Sequence, residues 1–309
     1  MRGVFIFQYE YGIVGCDLRQ SLLLWELGRD KSCMYYDVEL KDQHKKLFLQ
    51  TEHENRIGVK KAGGLKELAE KSEILLLPVP MCKNGNINIS TGEEISIDEF
   101  LTYLKKGQRL FAGKIPKEFK KAAVEKEISC YDYMEEERIA IYNSIATAEG
   151  TIGEILKTSP YNLQGSKLLL LGYGRCGRTL AKKLQALDGI VTVCARRQEI
   201  LMEAFTFGYQ TLSLEELPFR IKEFPLIINT IPKRIMGEEI LEEMDPNSIV
   251  YEIASEPYGI DLKSAKEKEI RVEVLGALPG KYSPVSSALI LKEYILEKGK
   301  ETQVSENRR

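Results

Sequence analysis

The segment Gly172-Tyr173-Gly174-Arg175-Cys176-Gly177 follows directly on the apolar run at residues 167–171 and passes into a helical pattern at residues 178–184. Glycines at the first, third and sixth places between a strand and a helix suit the holding of a diphosphate. The first makes a tight turn, the second lets backbone approach the pyrophosphate, and the third allows close packing of helix on strand. Backbone N–H groups at the helix N-terminus then face the anion. In sites selective for NAD, an acidic residue about 20 residues on binds the ribose 2′-hydroxyl. Here that place reads Val193-Cys194-Ala195-Arg196-Arg197. Two guanidinium groups suit a 2′-phosphate through forked, charge-assisted contacts, so NADP(H) is expected unless the pair only opens a surface helix. Gly172, Tyr173, Gly174, Arg175, Cys176, Gly177, Arg196 and Arg197 are the predicted cofactor residues. Thr230 and Pro232 of Asn229-Thr230-Ile231-Pro232 join them at the nicotinamide ribose.

Other polar candidates lie in loops that end strands, where a doubly wound sheet binds its ligands. Ser255 stands in Ala254-Ser255-Glu256-Pro257-Tyr258. Lys281 closes Gly276-Ala277-Leu278-Pro279-Gly280-Lys281, ahead of the hydroxyls of Tyr282, Ser283, Ser286 and Ser287. A cation beside a helix start predicts a carboxylate or phosphate site. Upstream, Ile141, Ile145, Ala148, Ile152 and Ile155 predict one helix running to Lys157, broken by Ser159-Pro160. Asn143, Thr147 and Thr151 stripe it at steps of four, a partly enclosed polar face. In the first half, Gly15-Cys16-Asp17-Leu18-Arg19-Gln20 follows the first strand. Arg19 either faces the same cleft or pairs with Asp17.

Positioning these groups requires an α/β scaffold. Short apolar runs alternate with helical patterns in both halves of the 309 residues. Strands are expected at 11–14, 33–36, 74–79, 109–112 and 127–131, then at 167–171, 190–194, 226–229, 249–253 and 271–275. Residues 84–89 read as a turn or hairpin excursion, and 5–7 as an extra strand or an interface. This gives two doubly wound domains with a cleft between them: a flavodoxin-like domain at 1–142 and a Rossmann-type NADP-binding domain at 143–284. Residues 285–309 form a helix returning to the first domain, ordered to 297, and a disordered charged tail from 298.

Composition removes other classes. A net charge of −2 gives no basic field for nucleic acid or anionic lipid, and no apolar run approaches a membrane span. A cytosolic protein is expected, with no signal segment. Six cysteines lie too far apart for a metal knuckle or redox pair, and His44 and His53 sit in a polar stretch. No metal site and no Ser-His-Asp triad is expected.

Several of these motifs together resemble those of the A component of dipicolinate synthase. The likeness rests on Gly15 to Gln20 and Leu76-Leu77-Pro78-Val79, then on Ile139-Ala140-Ile141-Tyr142-Asn143-Ser144-Ile145 and Glu149-Gly150-Thr151. It continues through the glycine loop, Ala195-Arg196, Asn229 to Pro232, Ala254-Ser255 and Leu278-Pro279-Gly280. Ala148-Glu149 is also distantly similar to the interdomain helix of D-2-hydroxyacid dehydrogenases. The chain departs from the family at Arg138, Glu256, Tyr258 and Ser286-Ser287. The resemblance implies oxidation of a hydroxylated tetrahydrodipicolinate or a dihydrodipicolinate to dipicolinate with NADP⁺, in the cytoplasm of a spore-former. It also implies a separate flavoprotein-like partner, the B subunit of dipicolinate synthase. Self-association into a homo-oligomer is a further possible assembly.

Aromatisation drives such a dehydrogenation, so the protein need mainly hold a flat dicarboxylate against the nicotinamide. Asn143, Ser144, Thr147, Ser255 and Lys281, with Arg19, are expected to hold the carboxylates, and Ser144, Thr147, Ser255 and Lys281 are the expected catalytic groups. No general base stands out; loss of water either needs little help from the protein or is assisted by Glu149 or Lys281. Two other readings stand beside this one: an NADP-dependent oxidoreductase on another small carboxylate, and a non-catalytic nucleotide-binding subunit.

Overall fold

The computed structural model describes residues 7–15, 17–39 and 58–306, with side chains to residue 300. Phe5, Ile6, Cys16, His44 and His53 lie outside the described residues. The chain divides into two compact units. One comprises Met1–Ala140 and Pro284–Arg309, the other Ile141–Ser283.

The first unit is built on a parallel sheet of β1 (Tyr9–Val14), β2 (Cys33–Tyr36), β3 (Val59–Lys61) and β4 (Ser72–Leu76). A two-stranded antiparallel excursion, β5 (Cys82–Lys83) with β6 (Asn86–Ile87), follows before β7 (Arg109–Ala112) and β8 (Ser129–Asp132) complete the sheet. The order is β3-β2-β1-β4-β7-β8. Without the unforeseen edge strand β3, this is the 2-1-3-4-5 order of flavodoxin-like folds. Helices Leu65–Lys71, Ile97–Tyr103 and Lys117–Glu125 bring Leu65, Leu68, Phe100 and Phe119 onto one face, against Leu75 and Leu110. Leu22 and Leu23 of helix Leu18–Leu27 cover the other face, with Leu291, Tyr294 and Ile295 of the last helix, against Ile13, Ile74 and Phe111.

That last helix spans Pro284–Glu306, so the expectation of disorder from residue 298 is corrected as far as Glu306. Its early turns are anchored on the sheet, and Lys, Glu and Gln, all good helix formers, prolong it once nucleated.

The second unit carries β9 (Lys167–Leu171), β10 (Ile190–Ala195), β11 (Gln210–Ser213), β12 (Leu226–Asn229), β13 (Ile249–Glu252) and β14 (Arg271–Val274), all parallel. Their order, β11-β10-β9-β12-β13-β14, is the 3-2-1-4-5-6 arrangement of dinucleotide-binding folds. Central β9 shows why. Leu168 and Leu170 enter one core and Leu169 and Leu171 the other, all four at 0% exposure, because successive side chains alternate across a strand and this one is covered on both faces. Helix Glu137–Thr158 contains the boundary between the units and is longer at its start than the apolar periodicity predicts.

Candidate dinucleotide site

Two of the three glycines of the loop after β9 are held, each by a different constraint. Gly172 has φ +96°, and a Cβ there would lie 2.4 Å from Thr230 Oγ1. A Cβ on Gly177 would lie 2.3 Å from the Gly172 carbonyl oxygen, so helix Arg175–Ala186 approaches the strand only because that atom is missing. Gly174 is different: its backbone is extended and a Cβ would meet nothing within 4 Å. Bare backbone here faces open space, and Gly174 as N-cap contributes no side-chain hydrogen bond to the helix start. A first helical turn presenting N–H groups beside bare backbone is a fit for a diphosphate.

Tyr173 turns inward, at 6% exposure, edge-on to Tyr209 with centroids 6.0 Å apart. The Arg178 guanidinium lies 5.2 Å over the Tyr173 ring and donates a fork to Glu203 at 3.0 and 2.6 Å. Arg178 and Glu203 thereby tie the helix of the loop to helix Gln198–Thr206. Arg175 is exposed, and burial pushes the Cys176 thiol pKa up. Thr230 braces the loop from below, since its backbone N–H and its hydroxyl both donate to the Leu171 carbonyl at 2.9 Å. Its hydroxyl is therefore engaged in structure, while Pro232 is exposed. At the end of β10, Arg196 is exposed and has no ion-pair partner among the described residues. Arg197 lies 3.4 Å from Glu199.

Beyond β12 and β13 lies a buried polar knot that sequence reading missed. Glu252, at 0% exposure, accepts from Asn229 Nδ2 at 2.8 and 2.9 Å and from the N–H groups of Ala254 and Gly259 at 2.9 Å. Asn229 also donates to the Ile231 carbonyl and accepts from the Ile231 N–H. Burial pushes the Glu252 pKa up against the pull of these donors. The knot fixes the loops that carry Thr230, Pro232 and the exposed Ser255.

Lys281 is not unoccupied. Its ammonium donates to Glu154, which is buried at 6% exposure, and the Tyr282 hydroxyl also bonds Glu154. The Lys281 ammonium in turn holds the Glu154 carboxyl below the ordinary glutamate value. Gly150 and Gly153 seat the Tyr282 ring, where a Cβ would come within 2.8 and 2.9 Å of it. Ser144 is 1% exposed; its hydroxyl donates to the Ile141 carbonyl at 2.6 Å and lies 2.9 Å from Thr179 Oγ1. Asn143 and Thr147 are half-buried and Thr151 is buried, donating to the Thr147 carbonyl. Glu149 points to the surface and pairs with Lys183 at 2.8 Å. In the first unit, Arg19 is 4% exposed, forked onto Asp17, and within 3.3 Å of the Val79 carbonyl. Of the alternatives for Arg19, the pair with Asp17 is the one formed. The described cysteines, 33, 82, 130, 176 and 194, are free thiols.

Comparison with known proteins agrees with this architecture. Residues 10–134 match the family model for the N-terminal domain of the dipicolinate synthase A component. The A component of dipicolinate synthase from Bacillus subtilis (strain 168) is 34% identical over 174 residues; the aligned stretch spans 56% of this chain and 59% of that protein. The crystal structure of the corresponding component from Bacillus halodurans superposes with a TM-score of 0.80 at 25% identity, covering 95% of this chain and 99% of that one. A transhydrogenase from Sinorhizobium meliloti, at 14% identity, shares the fold with a TM-score of 0.64, covering 95% of this chain and 94% of that one. The chain is thus similar to dipicolinate synthase A components both in the sequence of residues 10–134 and in the fold of nearly its whole length.

Proposed function

We propose that the second unit binds NADP(H) at the loop Gly172 to Gly177 and that the chain is the oxidoreductase component of an enzyme making dipicolinate. The observation that carries this reading is the pairing of bare backbone at Gly174 with an exposed Arg196, free of any ion pair among the described residues, at the end of β10, where NAD-selective sites keep an acid. When bound, NADP⁺ supplies a hydride acceptor. Conversion of a dihydrodipicolinate to dipicolinate gives up one hydride and one proton, leaving an aromatic ring.

The chain's own residues then have the task of holding a flat dianion. Lys281 is the cation for one carboxylate, transferring its contact from Glu154 to the ligand, with Ser255, Asn143 and Thr147 as hydroxyl and amide donors. Arg19, buried and forked onto Asp17, is left out of this carboxylate set. A B subunit is the implied partner, and the cytoplasm is the implied location; among the described residues no helix is long and apolar enough to cross a membrane.

One observation favours a second reading, a nucleotide-binding subunit that serves a partner enzyme. The Ser144 hydroxyl and the Lys281 ammonium are already bonded within the protein. Supplying a dihydrodipicolinate precursor and NADP⁺ to the purified chain, with and without the B partner, separates the two by dipicolinate absorbance. Product that falls in Lys281→Ala supports the first reading, product only with the partner and unchanged in that variant supports the second, and no product in either case removes the first. For the cofactor, Arg196→Ala should weaken NADP⁺ binding about tenfold and leave NAD⁺ unchanged, in keeping with the loss of one charge-assisted contact. Fluorescence titration with both nucleotides checks it, and equal losses for the two would refute the 2′-phosphate assignment.

A further inference from the structure

We infer that Glu252 is a positioning residue that also selects redox state, its buried carboxylate making the site favour the oxidised, positively charged nicotinamide over the reduced, neutral one. This rests on the dinucleotide reading above. In a 3-2-1-4-5-6 sheet the nicotinamide half of the ligand belongs to the second mononucleotide-binding half, which here is β12 to β14. Glu252 ends β13, and its partner Asn229 ends β12.

Two features make the residue more than a loop staple. Its oxygens meet only donors: the Asn229 amide on both, the Ala254 N–H on Oε1 and the Gly259 N–H on Oε2. A protonated acid would turn an O–H toward one of them, so the surroundings accept the carboxylate form. Those donors are neutral dipoles, and no lysine, arginine or histidine among the described residues pairs with the charge. The negative charge is held without being cancelled, and in a water-poor interior its field decays slowly. The knot is also rigid. A Cβ on Gly259 would lie 2.1 Å from Asn229 Nδ2, so the loop closes tightly over the carboxylate and holds it in place.

Binding measured without turnover tests this. The full-length chain is titrated with NADP⁺ and with NADPH, and the same is done for Glu252→Gln and Glu252→Asp. In the native chain NADP⁺ should bind at least as tightly as NADPH. Glu252→Gln, which removes the charge, should shift the ratio of the two dissociation constants about fivefold toward NADPH. Glu252→Asp keeps the charge and should keep the ratio even where both affinities fall.

Equal weakening of both nucleotides in Glu252→Gln overturns the inference and leaves only a structural role. So does a ratio that moves equally in Glu252→Asp. If circular dichroism shows that Glu252→Gln does not fold, the native and Glu252→Asp ratios decide, and tighter NADPH binding in both overturns it. Failure of either nucleotide to bind the native chain overturns the dinucleotide reading and this inference with it, a result distinct from equal weakening.

Discussion

Gly172, Gly174 and Gly177 share a motif but not a reason for being glycine, and the difference can be measured. At Gly177 an added methyl meets the Gly172 carbonyl oxygen; at Gly174 it meets empty space in ordinary backbone geometry. Gly177→Ala should therefore lower the thermal midpoint and nucleotide affinity together. Gly174→Ala should leave the midpoint unchanged and weaken nucleotide binding about tenfold or more, because the methyl occupies the space a diphosphate needs. Thermal unfolding with and without NADP⁺ checks both, and a lowered midpoint for the ligand-free Gly174→Ala chain would contradict the assignment. The glycine spacing was fully legible from sequence, since each constraint acts within one turn of chain. The Glu154 partner of Lys281 was not, because it lies 127 residues away. Glu252 read as the interior of an apolar strand, and only the closure of residues 254–259 over it discloses its role.

Pairs between elements come next in scale. Glu154 joins helix Glu137–Thr158 to Lys281 and Tyr282 of helix Leu278–Tyr282. The Glu154 pKa is depressed by the ammonium, so its contribution to stability is present above the ordinary glutamate value of 4.5 and is lost as pH falls through the lower folded value. The Lys281 pKa is raised, so its share is complete below 10.5 and is lost only at higher pH. Glu154→Gln should thus lower the thermal midpoint by a similar amount at pH 6 and pH 9, and the difference from the native chain should shrink on acidification below pH 4. A difference that grew on acidification would show that the pair does not act as drawn. Strands of the sheet interiors were legible because Leu168 to Leu171, Leu226 to Ile228 and Ile249 to Tyr251 are buried on both faces and read as unbroken apolar runs. The edge strands β3 and β11 were missed for the converse reason. Val59-Lys60-Lys61 has no buried residue, and Gln210-Thr211-Leu212-Ser213 has only Leu212.

For the whole molecule the central fact is that one unit is interrupted in sequence and the other is not. Ile141–Ser283 holds a complete six-stranded sheet with both of its cores. The first unit needs Ala288, Leu291, Tyr294 and Ile295 to cover Leu22, Leu23, Ile13 and Phe111. A chain ending at Ser283 should therefore lose the first unit's cooperative unfolding transition while still binding nucleotide. Calorimetry and nucleotide titration on that truncated chain check this, and two retained transitions would show that the last helix is dispensable.

The same interruption sets an order on biosynthesis. Residues up to 140 leave the ribosome with one face of their sheet covered only by helix Leu18–Leu27, and the helix that completes the cover is translated only after the whole of the second unit. At about 5–20 residues per second, that delay is on the order of ten seconds. During it, the intervening unit has every residue it needs to fold, while the earlier one exposes the part of a sheet face that the last helix will cover. The unit Ile141–Ser283 is thus complete, and able to become native, before the unit that encloses it in sequence.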